Sequence, residues 1–114
     1  MKHDEEKMSA IGELETMTLL AILHLGDIAY GVSVRDEIGT RTGRRLTRGA
    51  IYTVLRRLEA KGFVDGTLGD ATPSRGGRAK RFLVVTPAGM TALRSATGDL
   101  DRMRAGLDKL LADA

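Results

Sequence analysis

Between Leu46 and Gly89 the chain reads LTRGAIYTVLRRLEAKGFVDGTLGDATPSRGGRAKRFLVVTPAG, a succession that leaves few folds open. Thr47 is a natural N-cap, because its hydroxyl can accept from an early helical N–H that no carbonyl reaches. Ile51, Val54, Leu55 and Leu58 follow at i, i+3, i+4 and i+7, one face of an amphipathic helix ending at Lys61-Gly62 with glycine at C′. Phe63 to Leu68 and Lys80 to Val85 are strand candidates, and Pro73, Gly76 and Gly77 bar helix from the loop between them. Thr86-Pro87 opens another helix, with Thr as N-cap and Pro at N1.

The segments on either side extend this pattern. A first helix is expected from about Ala10 to Leu25 with Ser9 as N-cap, and Gly26-Asp27 breaks it. Its apolar residues, among them Ile11, Leu14, Met17, Leu19 and Ile22, cover nearly the whole circumference, so more than one side must be buried. In so small a chain another subunit supplies the second side most readily. A second helix is expected from Tyr30 to Arg41, with Val34 and Ile38 inward and Gly43 as terminator. Helix, short turn, amphipathic helix with a basic outer face is the helix-turn-helix arrangement, and the hairpin after it adds a wing.

The last helix, expected from Pro87 to Leu111, carries Leu93, Leu100 and Leu107 at seven-residue spacing, with Ala96, Met103 and Leu110 three residues after each. That a/d pattern predicts pairing with a twofold mate. Leu14, Met17, Leu93, Ala96, Leu100, Met103, Leu107 and Leu110 form the expected dimer interface. The expected fold is therefore mainly α with a small β-hairpin, a winged helix-turn-helix followed by a C-terminal dimerisation helix. Residues 1–9 are read as a flexible tail, 10–86 as the winged-helix domain and 87–114 as the dimerisation helix.

Composition narrows the function classes. The chain has 114 residues, enough for one modest core, and no cysteine, which rules out disulfides and thiol chemistry. His3 and His24 are its only histidines and stand far apart, so neither a metal site nor a cofactor is expected. The longest apolar run, Met17 to Leu25, is too short to span a bilayer, and the acidic start MKHDEEKMS lacks an apolar signal region. A cytoplasmic protein without membrane contact is the expectation. No nucleophile–base pair or paired carboxylates in an apolar context stand out, which argues against an enzyme.

Charge points to the partner. The net charge is only +3, but Ile38 to Leu58 holds six arginines and no acid, and Ala71 to Gly98 holds Arg75, Arg78, Lys80, Arg81 and Arg94, again with no acid. A solvated surface normally mixes signs, so two acid-free basic blocks suggest a polyanion, here double-stranded DNA. Arg48 beside the helix N-terminus suits a phosphate, and Gly49 allows close backbone approach. Tyr52, Thr53, Arg56 and Arg57 lie on the outward faces of the same helix, where Arg56 can reach base edges or phosphate. Arg75, Gly76, Gly77, Arg78, Lys80 and Arg81 form a glycine-hinged wing suited to the backbone or the minor groove. Two rival readings remain: a winged-helix protein-interaction module that binds no DNA, and a small ligand sensor acting without DNA.

These motifs resemble the PadR family of bacterial transcriptional regulators over roughly Ile11 to Leu111. The resemblance rests on GELETMTLLAILHLG (12–26), AYGVSVRDEI (29–38), LTRGAIYTVLRRLEAKGFV (46–64) and GGRAKRFLVVTPAG (76–89). The single short C-terminal helix is similar to the compact subgroup. The resemblance implies a homodimeric repressor on a pseudo-palindromic operator, with Tyr30, Gly31 and Tyr52 touching the DNA backbone. It further implies release by an apolar or phenolic small-molecule effector near the dimer interface. Thr53 stands where the family often carries proline, which predicts an altered start to the recognition helix. With no tryptophan for an aromatic-stacking pocket, Met17, Met90 and Met103 are the candidate lining of an adaptable one, though core packing is the first reading of these methionines.

Overall fold

The structure, a computed structural model, describes residues 11–68 and 80–113. The expected tail at 1–9 and the wing residues Arg75, Gly76, Gly77 and Arg78 lie outside the described residues. Helix α1 spans Glu13–Leu25, which corrects the expected start at Ala10 with Ser9 as cap: the N-cap is Gly12, whose N–H donates to Glu15 Oε1 at 2.8 Å. That carboxylate is buried, and Lys61 Nζ, beyond the end of the third helix, donates to its two oxygens at 2.8 and 3.0 Å. A buried charge is tolerable because it is both paired and hydrogen-bonded, and the pair ties the start of α1 to the start of the hairpin.

A 3₁₀ turn at Gly26–Ile28 leads into α2 (Gly31–Thr42). Ser33 Oγ accepts the N–H of Tyr30 at 2.9 Å and donates to the Ile28 carbonyl at 2.7 Å, which locks the turn onto the helix. Helix α3 spans Arg48–Ala60, and the expected cap is present: Thr47 Oγ1 accepts from the Ala50 N–H at 3.0 Å. It runs unbroken through Thr53, so the absence of proline there does not alter its start. The terminating glycines Gly43 and Gly62 adopt the left-handed conformation, with φ of 77° and 79°.

Strands β1 (Val64–Leu68) and β2 (Arg81–Val85) pair antiparallel, Val64 opposite Val85 and Gly66 opposite Leu83. The Leu83 N–H turns away from β1 and donates to the Ala29 carbonyl at 2.9 Å, so the segment entering α2 covers the hairpin's free edge. Helix α4 spans Pro87–Arg104, and Thr86 Oγ1 both caps the Gly89 N–H at 3.0 Å and donates to the Gly62 carbonyl at 2.6 Å. One core gathers all these elements: Leu19 and Ile22 of α1, Val34 and Ile38 of α2, Ile51, Val54, Leu55 and Leu58 of α3, Val64, Leu83 and Leu93.

The C-terminal region departs from expectation. The chain does not continue as one helix to Leu111; α4 stops at Arg104, Gly106 takes φ +85°, and a five-residue helix α5 follows at Asp108–Ala112. Glycine costs about 1 kcal/mol relative to alanine inside a helix and accepts a left-handed C′ conformation, so a stop here is cheap. Leu107 and Leu110 consequently leave the register of Leu100 and Met103. Leu93, expected at the dimer seam, is buried in its own protomer's core, and Leu14 packs against that core as well. Leu100 and Met103 remain largely exposed.

Candidate nucleic-acid interface

Helix α3 divides cleanly. Its inner face is core, and Arg48, Gly49, Tyr52, Thr53, Arg56 and Arg57 all lie exposed on the outside. The capping hydroxyl, the Schellman-type return of the Phe63 N–H to the Leu58 carbonyl at 2.9 Å and four buried aliphatic side chains hold this face rigid. Among the described residues, Arg45, Arg48, Arg56 and Arg57 enter no ion pair, whereas Arg35, Arg41, Arg44, Arg81, Arg102 and Arg104 each have a carboxylate partner. Outside this surface, Arg94 on α4 is likewise without one. Thr53 Oγ1 donates to the Gly49 carbonyl at 2.8 Å, so its hydroxyl proton is engaged within the helix. Its methyl and oxygen lone pairs are what it offers outward.

The expected contact residues Tyr30, Gly31, Lys80 and Arg81 have local partners. Gly31 is buried beneath Tyr52: a Cβ there would stand 2.7–2.9 Å from the phenol ring. It lets α2 and α3 approach and seats the Tyr52 ring. Lys80 Nζ sits 4.3 Å from the centroid of the Tyr30 ring, whose other neighbour, Phe82, meets it edge-on with centroids 6.0 Å apart. Arg81 is held by Glu59, with Nη1 at 2.8 Å from Oε1 and 2.6 Å from Oε2. Arg81, expected among the wing cations, is thus ion-paired within the protomer. Arg45, in the turn between α2 and α3, was not singled out in the sequence although it lies in the acid-free block; its exposure beside the start of α3 adds it to the basic surface.

On another side of the molecule, α1 and α4 flank an open groove of about 870 Å³. Met17, Leu20, Ala96 and Leu100 line it, so three of the expected dimer residues meet there, Met17 from α1 and Ala96 and Leu100 from α4. Asp99 and Asp101 at its rim pair with Arg102 and Arg104, which offsets their negative charge. Among the described residues no cluster of His, Asp or Glu is arranged to hold a metal, and no helix is long and apolar enough to cross a membrane.

The transcriptional regulator PadR-like family matches residues 19–95, from the middle of α1 through the first half of α4. The chain belongs to this PadR-like family. Its members are transcriptional regulators and not enzymes. No curated protein matches the chain at a significant level. Solved structures carry the same PadR fold: a PadR-like regulator from Bacillus cereus aligns at 20% identity and TM-score 0.70 over 86% of this chain and 90% of that one. A PadR family regulator from Eggerthella lenta aligns at 24% identity and TM-score 0.65, covering 97% and 96%. One from Clostridium difficile aligns at 22% identity and TM-score 0.68, covering 87% and 99%. The family match ends before Leu100, so the α4–α5 break of this PadR-like chain lies outside the matched residues.

Proposed function

We propose that this PadR-like regulator is a repressor that binds a pseudo-palindromic DNA operator as a homodimer. The observation that carries the reading is the outer face of α3, where Arg48, Arg56 and Arg57 stand exposed and without ion-pair partners on a helix fixed by its cap and core. A helix held this way needs no ordering of its own to enter the major groove, with Arg56 toward base edges and Arg48 and Arg57 toward phosphates. Tyr52, propped on Gly31, adds a hydroxyl at the same surface. The basic segment carrying Arg75 and Arg78 supplies the wing charge in the sequence. Met17, Leu20, Leu100 and Met103 support pairing of two protomers through α1 and α4, and an apolar or phenolic effector would find its lining in the same groove.

The experiment is an electrophoretic shift with the DNA upstream of the protein's own gene. Binding is expected, and Arg56→Ala is expected to weaken it by about 1–3 kcal/mol, roughly 5- to 150-fold. A wild-type chain giving no shifted band at low salt would instead favour a protein-interaction module.

A further inference from the structure

We infer that Glu59 and Arg81 form a clamp that fixes the hairpin against the recognition helix and keeps Arg81 off the DNA backbone. This rests on the DNA-binding reading above and adds a positioning pair to it. Glu59 lies in the last turn of α3 and Arg81 opens β2, so the 2.6–2.8 Å contacts join the two elements that must meet DNA together.

Strand parity shows that the contact is built in. Arg81 shares its face of the hairpin with Leu83, which is buried, and with Gly66 of β1. A charged side chain on a core-facing strand position has to turn along the sheet to find a partner. It does so across Gly66: a Cβ there would stand 2.5 Å from Arg81 Nε, 2.6 Å from Cζ and 2.8 Å from Nη2. The missing side chain at position 66 is the channel through which the guanidinium reaches Glu59. Glu59 is only 20% exposed, so moving Arg81 to a phosphate would strand a poorly solvated carboxylate. Arg81 therefore serves the angle between helix and hairpin, while Arg56 and Arg57 face outward without such a partner.

The test is the salt dependence of binding to a mixed-sequence DNA duplex by the full chain, since its slope counts neutralised phosphates. Arg81→Ala is expected to leave the slope of log affinity against log salt unchanged. Glu59→Gln, and Gly66→Ala which pushes the guanidinium aside, are expected to release Arg81 and steepen the slope by about 0.9 per protomer. A merely structural loss lowers the active fraction at every salt concentration and does not move the slope. If Gly66→Ala does not fold, the other two variants still decide. A slope flattened by Arg81→Ala, or one unchanged in Glu59→Gln, overturns the clamp. A wild-type chain that binds no duplex overturns the DNA-binding reading itself, and the clamp's role with it.

Discussion

Replacing Gly89 by alanine is expected to destabilise the protein by about 3 kcal/mol, the top of the range for overpacking. The added Cβ would lie 2.2 Å from the Phe63 carbonyl oxygen and 2.9 Å from Val85 Cγ1. Neither neighbour can give way cheaply. The Phe63 carbonyl accepts the Thr86 N–H at 3.0 Å, and Val85 sits in the hairpin opposite Val64. Helix α4 would have to lift from the turn between α3 and β1, breaking the Thr86 bond to the Gly62 carbonyl. Urea unfolding checks this directly: the midpoint should fall while the slope holds. An unchanged midpoint would mean that α4 does not start against Phe63. The same contact gives the TPAG motif its physical sense, with threonine to cap and stitch, proline to begin the helix, and glycine to let it touch backbone.

Leu100→Asp is expected to convert the protein to a monomer and to lower operator affinity by roughly 100-fold or more. Leu100 is 60% exposed in the protomer, beside the groove formed with α1, so the substitution leaves the core intact. In a dimer the new carboxylate would be taken from water without a partner, a cost that an apolar interface cannot offset. Each recognition helix would then bind its half-site alone and lose the effective concentration its mate supplied. Sedimentation and the shift assay read the two consequences separately. A Leu100→Asp protein that still sediments as a dimer would place the twofold contact elsewhere.

Local chemistry was the most legible part of this sequence. Thr47, Gly43, Lys61-Gly62 and Thr86-Pro87 declare the ends of helices because caps and left-handed glycines act over a few residues, and α2, α3 and the hairpin begin and end within about two residues of where those signals lie. The outer face of α3 followed from the spacing of Ile51, Val54, Leu55 and Leu58. The heptad misled, since a periodicity of leucines does not register that Gly106 prefers to end a helix. It also could not tell Leu93, which faces its own core, from Leu100, which does not. At the site, exposure was legible but pairing was not. Glu59 and Arg81 are 22 residues apart, and their contact exists only once β2 has folded back along β1. Gly31 came only from the family resemblance, and the seating of Tyr52 above it shows its part in packing.

In the proposed function, two copies of this chain present paired recognition helices to DNA. Selection of bound duplexes from a random-sequence library by the full-length protein tests it most directly. Enrichment of an inverted repeat whose half-sites are centred about 10–10.5 base pairs apart, or a multiple of that, is expected, and Arg56→Ala is expected to abolish it. Recovery of no preferred sequence, or of a single unrepeated site, would contradict it.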